Sequence, residues 1–340
     1  MVASDESIEI MECLEGQRIA PPLGGVARIV RIRHEPTPFA SSYRAEVIVA
    51  ELTAGEELRV FLKDFGTTFF PKDAGPERRE RELHVYRDLL VDMGLGTPQF
   101  YGSLWNERSK RFLLLLEYVD GLEVRDCPLD GWISAARWVG RLHGTKRWLD
   151  RLEASSLLVR HDEVHFLRRA ELAVREVAEF GSALEARLRR VVDSYGPVVE
   201  AMVSQPVSLV HGGYWPANVL LAEDAGTQRV CAIDWELAAL GSPLYDLATL
   251  VDGFTSPELA MLLDAYVSEA LAQGASVPEQ DELRRLVQCF LLARVINTLA
   301  RVSRSRYRKD RVTKLVAQAE KLHRAVLGQR GETASRDGLQ

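Results

Sequence analysis

The stretch that decides the fold is HGGYWPANVLL, residues 211–221. Its glycines and proline are typical of a loop, and the apolar residues 219–221 at its end are typical of a short buried strand. A second apolar run, residues 230–233, leads directly into Asp234-Trp235-Glu236. We therefore predict a loop and two short strands, with Asn218 before the first strand and Asp234 at the end of the second.

The sequence before residue 121 alternates in the manner of half-buried β-strands. The predicted strands cover residues 26–33, 44–50, 58–63, 99–105 and 111–118. A hairpin turn is expected at 53–57, and a helix is expected at 76–93 because Pro76 suits a first helical turn. Three strands, a helix and two strands together predict a small antiparallel β lobe.

Beyond Gly121 the sequence becomes mostly helical. Amphipathic stretches cover residues 129–152, 163–180, 183–203 and 257–327. The predicted fold class is therefore α+β and bilobed. The predicted domains are an N-terminal β-rich lobe at 1–118, a hinge at 119–121, a C-terminal helical lobe at 122–328 and a disordered tail at 329–340.

The charge of the chain is unevenly distributed. The net charge is −6, but residues from Arg301 onward hold 11 basic and 4 acidic side chains, or +7, which leaves −13 for the rest. An acidic body disfavours nucleic acid and suits a cationic or neutral small molecule. The basic segment 301–314, expected to be helical, is either a solvated face or a docking surface for a protein partner.

Several classes of protein are disfavoured by the sequence. Apolar runs such as residues 112–116 are far shorter than the roughly 20 residues of a membrane helix. The acidic N-terminus lacks the features of a signal peptide, so we expect a cytoplasmic location. The cysteines are widely spaced and form no CxxC pair, which predicts free thiols; they are Cys13, Cys127, Cys231 and Cys289.

The opening stretch resembles the aminoglycoside phosphotransferase family, also called the choline-kinase-like family. Family members read H-G-D-x-x-x-x-N-(V/I)-L and then I-D-(W/F)-E. The matching positions are His211, Gly212, Asn218, Val219, Leu220, Ile233, Asp234, Trp235 and Glu236. Residues 241–248 resemble the family's G-D-P-x-x-D-L-A. The resemblance implies a protein-kinase-like fold and an ATP- or GTP-dependent transfer of phosphate, with Mg²⁺, to a hydroxyl of a small molecule.

The resemblance also implies roles for individual residues in the loop. Asn218 and Asp234 correspond to the catalytic Mg²⁺ ligands, and amide and carboxylate oxygens suit that ion when it is shared with nucleotide phosphates. His211 and Asp246 correspond to structural residues that brace the loop by hydrogen bonds. Gly213 stands at the position of the catalytic aspartate.

The nucleotide site implied by the resemblance lies upstream. Lys63, on the third strand, corresponds to the lysine that contacts nucleotide phosphates. Its carboxylate partner is expected on the following helix, where Glu82 fits the family pattern R-E-L-x-x-Y. Glu80 is the next candidate, but it would lie about 200° away around the helix. Only one of the two glutamates can therefore pair with Lys63.

The remaining nucleotide contacts are predicted in a hinge and a loop. The stretch from Glu117 to Val119 resembles the family's hinge, whose backbone N–H and C=O groups would contact the adenine edge. The loop at 35–43 contains no glycine, unlike the G-x-G-x-x-G loop of protein kinases. Ser41 and Ser42 would instead offer N–H and O–H donors to phosphate oxygens.

Gly213 departs from the family at its general base. Such a base contributes about 10²–10⁴-fold to rate, and glycine cannot supply it. Three interpretations stay open: a slow kinase that takes a carboxylate from elsewhere or from its substrate, a pseudokinase that binds nucleotide as a partner protein in a biosynthetic pathway, or an inactivated enzyme. A kinase of a peptide Ser or Thr is a further alternative.

The acceptor is not specified by the sequence. Its pocket is expected among the helices of residues 126–203 and after Phe254. Three acids would suit a cationic acceptor, namely Asp162, Glu163 and Asp252. Acids at helix ends are also common for purely structural reasons, because they complement the helix dipole.

Overall fold

The computed structural model describes residues 5–16, 28–38, 42–53, 55–69, 72–145, 148–224, 226–303 and 305–337. Its backbone contacts divide the chain into two units. The first comprises Met1–Glu123 and Val219–Glu236, and the second comprises Val124–Asn218 and Leu237–Gln340. The linear boundaries predicted from the sequence assign 219–236 to the helical lobe, whereas the structure groups this segment with the first unit.

The described residues form eleven strands and eleven α-helices. The strands are β1 (Ile29–Pro36), β2 (Tyr43–Leu52), β3 (Glu57–Thr68), β4 (Phe100–Asn106), β5 (Arg111–Glu117), β6 (Gly121–Glu123), β7 (Val159–Arg160), β8 (Ser208–Val210), β9 (Val219–Asp224), β10 (Thr227–Ala232) and β11 (Ala239–Gly241). The helices are α1 (Asp5–Gly16), α2 (Gly75–His84), α3 (Leu129–Gly144), α4 (Leu149–Glu153), α5 (Glu163–Ala178), α6 (Ser182–Asp193), α7 (Gly196–Val203), α8 (Leu244–Leu250), α9 (Glu258–Ala272), α10 (Gln280–Leu299) and α11 (Lys309–Asp337). This mixture confirms the predicted α+β class.

The first unit is built on a five-stranded antiparallel sheet with the order β1-β2-β3-β5-β4. Alternation along β3 sends Val60 and Leu62 into an apolar cluster that also contains Ile10 and Leu14 of α1. Successive side chains of a strand point to opposite faces, so Lys63 projects from the other face. The sheet therefore buries one face under α1 and presents Lys63 on its opposite face. The sequence analysis did not predict α1.

A smaller sheet of the first unit has the order β10-β9-β6. Its β9–β10 hairpin is the pair of short strands predicted from the opening stretch. Gly121 lies so close to β9 that a Cβ atom there would be 2.7 Å from the carbonyl oxygen of Leu221. A side chain at this position would therefore collide with the backbone of β9. The pairing of β6 with β9 explains why 219–236 groups with the first unit.

The helix after β3 is shorter than predicted. It begins with Pro76 in its first turn, as expected, but α2 ends at His84. A π-helical turn, Val85–Leu89, follows it. This turn buries Tyr86 and Leu89, so apolar side chains remain buried here without an α-helical backbone. The predicted end at residue 93 is therefore wrong, while the start is confirmed.

The second unit is mainly helical and also contains a three-stranded sheet of order β7-β11-β8. The predicted helix at 183–203 is two helices, α6 and α7, because Gly196 and Pro197 start a new helix. The basic segment 301–314 is not one helix: α10 ends at Leu299 and α11 begins only at Lys309. The charge run indicated exposed polarity but carried no signal for where a helix starts.

The last helix, α11, continues to Asp337, where the sequence predicted disorder from residue 329. Residues 338–340 of the predicted tail lie outside the described residues. The four cysteines are free thiols, as predicted. None of the helices in the described part of the chain combines the length and apolar character that crossing a membrane requires.

Candidate active site

Lys63 lies at the centre of a buried ionic cluster in the first unit. Its Nζ atom donates to Glu82 at 2.7 and 2.9 Å and to Asp234 at 2.6 Å. Lys63 and Glu82 are almost fully buried, while the Asp234 side chain is 35% exposed. The predicted pairing of Lys63 with Glu82 is confirmed. Glu80 accepts instead from the indole of Trp105, at 2.8 Å.

Local structure explains how the three side chains meet. Lys63 projects from β3, Glu82 lies on α2, and Asp234 follows β10 in a left-handed conformation with φ of 65°. A non-glycine residue with positive φ is strained, and such strain concentrates at functional sites. Here it places a partly exposed carboxylate beside the buried lysine.

The electrostatics of the cluster depend on its burial. Burial lowers the pKa of Lys63, but the charges of Asp234 and Glu82 outweigh it and raise that pKa well above its ordinary value. Burial raises the pKa of Glu82 to about 7, against the opposing effect of Lys63. Asp234 is the only carboxylate of the three residues with substantial exposure to solvent, so it is the group best placed to meet a ligand.

A second ionic network surrounds Glu236, which the sequence analysis matched to the family without giving it a role. The Glu236 carboxylate accepts from Arg78 at 3.0 Å and from Lys72, and its backbone carbonyl accepts from Arg81 at 2.6 Å. Arg78 lies near the start of α2, where a positive charge opposes the helix dipole, so a nearby carboxylate is favourable there.

Three carboxylates of the first unit form a compact acidic group. One oxygen from each of Glu82, Asp234 and Glu236 lies within 4.8 Å of the others. Glu82 and Glu236 are each already engaged by basic side chains. Asp234 is also bonded to Lys63, but it is the most exposed of the three carboxylates, so a cation would meet Asp234 first.

The predicted hinge is held in place by its side chains and backbone. The N–H of Glu117 donates to the carbonyl of Gln99 at 2.8 Å, so it is not available to a nucleotide. The Glu117 carboxylate accepts from Arg229 at 2.6 and 2.7 Å. Val119 packs with Leu220 and other apolar residues in a buried cluster. The adenine-contacting roles of Glu117 and Val119 stay predictions, and for Glu117 only the backbone C=O would serve.

The predicted phosphate loop is described in part. Ser41 lies outside the described residues, and Ser42 immediately precedes β2. The Ser42 carbonyl accepts from the N–H of Phe69 at 2.9 Å and from the hydroxyl of Thr68 at 3.2 Å. These bonds tie the start of β2 to the end of β3. Phosphate binding by Ser41 and Ser42 stays a prediction.

The loop at residues 211–218 of the second unit is braced by Asp246. Its buried carboxylate accepts from the backbone N–H groups of His211 at 2.6 Å and Gly212 at 3.0 Å. The ring of His211 accepts from the N–H of Gly213 at 3.2 Å. The bracing hydrogen bonds predicted for His211 and Asp246 are therefore present. Gly212 has a φ of 75°, and a Cβ there would lie 2.1 Å from the carbonyl oxygen of Leu237.

Asn218 is oriented by the loop itself. Its side-chain nitrogen, Nδ2, donates to the carbonyl of Gly213 at 3.0 Å. The amide oxygen is consequently the end of the side chain left for another partner. Oxygen is the donor that Mg²⁺ prefers, so the orientation of Asn218 fits the metal-ligand role predicted for it.

The space beside Gly213 is narrow. A Cβ atom built on this glycine would lie 3.1 Å from Nε1 of Trp215, 3.4 Å from Cδ1 of Leu237 and 3.7 Å from Nδ2 of Asn218. Two of these atoms belong to N–H donors and one is apolar. None of the three nearest groups can accept a proton, so they offer no replacement for the missing base.

The acids suggested for a cationic acceptor have other partners or positions. Asp162 is the N-cap of α5, where its carboxylate accepts from the N–H of His165 at 2.8 Å. Asp252 is paired with Arg294 at 2.9 Å, and Glu163 is exposed in the first turn of α5. The structure thus favours the structural interpretation for Asp162 and shows the charge of Asp252 already balanced.

Comparison with known families identifies the class of the protein. The sequence profile described as the phosphotransferase enzyme family matches residues 35–286, which is well over half of the chain. The chain therefore belongs to this family, and the resemblance inferred from the loop motif is confirmed. The comparison with curated proteins gives no match.

Solved structures agree on the fold. A choline kinase from Cryptosporidium parvum matches with a TM-score of 0.58 and 14% identity over 98% of both chains. A choline kinase from Streptococcus pneumoniae matches with a TM-score of 0.57 and 15% identity over 87% of this chain and 95% of that one. A macrolide 2'-phosphotransferase from Brachybacterium faecium gives 0.53 and 18% over 94% and 97%. The protein therefore has the protein-kinase-like fold of these enzymes.

Proposed function

We propose that the protein binds ATP with Mg²⁺ and transfers phosphate to a hydroxyl of a small molecule. The observation that carries the proposal is the cluster of Lys63 with Glu82 and Asp234 in a member of a phosphotransferase family. A buried lysine held by one fully buried carboxylate suits contact with nucleotide phosphates. The second carboxylate, on Asp234, is partly exposed and suits a metal ion.

The metal ion in this proposal is held by oxygen atoms. Asp234 would supply a carboxylate oxygen, and Asn218 would supply its amide oxygen because its nitrogen is bonded to Gly213. When bound with nucleotide, Mg²⁺ would neutralise charge on the phosphates that transfer requires. The proposal for Asn218 also rests on the sequence motif, in which it stands five residues after Gly213.

Lys63 would exchange partners when nucleotide binds. Its ammonium group now divides three hydrogen bonds between Glu82 and Asp234. Phosphate oxygens are strong acceptors, and a metal ion on Asp234 would compete for the carboxylate. Lys63 would then keep Glu82 and give up Asp234. The buried Glu82 thus keeps the lysine in position in both states.

A second candidate function is a pseudokinase that binds nucleotide without efficient turnover. It is favoured by Gly213, since the side chains nearest to that position cannot accept a proton. The loss of a general base costs about 10²–10⁴-fold in rate. Nucleotide binding by the first unit does not require that base, so both candidates predict binding and differ only in turnover.

Calorimetric titration with ATP and with GTP, each with and without Mg²⁺, tests the proposal. We expect the wild type to bind at least one nucleotide, with Mg²⁺ strengthening the interaction. In Asp234→Asn the effect of Mg²⁺ should disappear, whereas Glu223→Gln, which changes an exposed acid of β9, should behave like the wild type. A wild-type protein that binds neither nucleotide would exclude both candidates. Measurable turnover would select the kinase over the pseudokinase.

A further inference from the structure

We propose that the acceptor is a hydroxy acid whose own carboxylate lies beside Gly213 and serves as the missing base. The proposal rests on the phosphotransferase function proposed above and names the class of its acceptor. It starts from the chemistry of the space at Gly213, where the nearest polar atoms, Nε1 of Trp215 and Nδ2 of Asn218, both carry hydrogen.

The N–H groups at this position can donate hydrogen bonds to a carboxylate, which accepts them. In the aspartate-containing relatives implied by the motif, the protein supplies the anion at this point. Here Trp215 Nε1 lies 3.1 Å from the position of the absent Cβ, and no described residue accepts a hydrogen bond from that indole. An indole nitrogen can only donate. An anionic oxygen from a ligand would satisfy it, and a cationic group would not.

The guanidinium group of Arg294 lies close to the same indole. Its guanidinium carbon lies 5.1 Å from the centroid of the Trp215 ring, within the range of a cation–π contact. The Arg294 side chain is only 17% exposed, and its Nη1 group donates to Asp252 and to the carbonyl of Thr249. Both hydrogen bonds are made by the Nη1 end of the guanidinium group. Guanidinium groups recognise carboxylates through paired N–H donors, which suits an anionic acceptor better than the cationic one suggested by net charge.

The chemical step balances without a protein base. The acceptor hydroxyl oxygen forms a bond to the γ-phosphorus of ATP, and the bond from that phosphorus to the bridging oxygen breaks, so ADP leaves. The hydroxyl proton passes to the acceptor's own carboxylate, which later releases it to solvent. A carboxylate with an ordinary pKa is ionised at neutral pH and is ready to accept that proton. A hydroxyl compound without a carboxylate would lack this route.

The indole N–H resonance of Trp215 provides a direct test. Protein labelled with ¹⁵N at its tryptophan indoles is titrated with mandelate and glycerate, and with the neutral amides mandelamide and glyceramide as matched ligands. Trp215→Phe assigns the resonance. We expect the acids to shift the Trp215 signal at millimolar concentration and the amides to leave it unchanged.

Three variants sharpen the test. Arg294→Gln should weaken binding of the acids about tenfold, the usual scale for losing a charged hydrogen bond. Arg285→Gln removes another arginine from α10, one paired with Glu282, and should leave acid binding unchanged. Gly213→Asp places a carboxylate in the proposed position and should abolish acid binding. The proposal is overturned if neither acid shifts the signal, if the amides shift it equally, or if Gly213→Asp leaves acid binding intact.

Failure of the hydroxy-acid proposal can be distinguished from failure of the proposed function. A protein that binds Mg²⁺-ATP but whose Trp215 signal ignores both acids keeps the phosphotransferase proposal and loses the hydroxy-acid acceptor. A protein that binds the acids but no nucleotide loses the phosphotransferase proposal instead. Both measurements use the full-length chain.

Discussion

The first unit holds a buried ionic cluster around Lys63, whereas the loop at residues 211–218 of the second unit has its supporting hydrogen bonds but a glycine at the position of the family's base. Lys63 meets Glu82 and Asp234 at hydrogen-bonding distance. In the second unit Asp246 holds the loop backbone at comparable distances, yet position 213 is glycine. The frame of the loop has therefore been retained while its reactive side chain is missing.

This difference shows that the hydrogen bonds that hold the loop in place do not depend on the side chain that would act as the base. The hydrogen bonds from His211 and Asp246 involve backbone groups, which every residue possesses. They form whether position 213 is glycine or aspartate. A single substitution can consequently remove the base while leaving the groups that hold the loop in place.

The largest predicted effect comes from restoring the base. Gly213→Asp should raise steady-state ATP hydrolysis by up to about 10²–10⁴-fold, the usual contribution of a general base. The new Cβ would lie 3.1 Å from Nε1 of Trp215, so the indole must move by a few tenths of an ångström. We therefore expect Gly213→Asp with Trp215→Phe to be more active than Gly213→Asp alone.

The matched control for this gain is Gly196→Asp. It adds the same side chain in the second unit, at a glycine with open space around it. Hydrolysis by this variant should equal that of the wild type. If the double variant at Gly213 and Trp215 hydrolyses ATP no faster than the wild type, the missing aspartate does not limit the rate of hydrolysis.

Breaking the ionic cluster of the first unit should lower the free energy of unfolding substantially. Lys63→Met leaves Glu82 and Asp234 without their common cation and should lower the free energy of unfolding by about 3–5 kcal/mol. Glu82→Gln should cost less, because burial already raises the pKa of Glu82 to about 7 and makes its neutral form accessible. Urea denaturation at pH 7 measures both, with Arg44→Met on the exposed side of β2 as the control. A larger loss for Glu82→Gln than for Lys63→Met would contradict this view of the cluster.

The second unit should show a smaller, pH-dependent effect through His165. Burial, with repulsion from Arg169, lowers the pKa of His165 from 6.5 to about 4. The neutral ring is favoured in the folded protein, so its full contribution exists above pH 6.5 and is lost as pH falls towards 4. Between pH 6.5 and 5 the loss should be about 2 kcal/mol. Urea denaturation of wild type and His165→Gln over this range should give a shallower pH slope for the variant; identical slopes would contradict the assignment.

Much of the first unit was predictable from the sequence because its signals are local. Period-two alternation located the strands, and the resemblance to the family's strand lysine and R-E-L-x-x-Y pattern predicted the Lys63–Glu82 pair. The partners of Glu236 were not predictable in this way. Arg78 lies 158 residues from Glu236, and no local pattern links the two.

Other features were missed for similar physical reasons. The helix α1 has only Ile10 and Leu14 fully buried, which is a weak apolar stripe, so its sequence resembles a polar terminal segment. The position of Trp215 beside Gly213 depends on the loop geometry. The motif revealed the absence of the base, but only the structure shows that N–H donors and an apolar group lie around position 213.

The central claim is that nucleotide binding is independent of the altered base, and one pair of titrations tests it most directly. Mg²⁺-ATP is titrated calorimetrically into the wild type and into Gly213→Asp under identical conditions. We predict that both bind, with dissociation constants that agree within about twofold, since the groups proposed to hold nucleotide and metal are unchanged. If Gly213→Asp binds Mg²⁺-ATP and the wild type does not, the glycine has disabled the nucleotide site as well, and the claim is wrong.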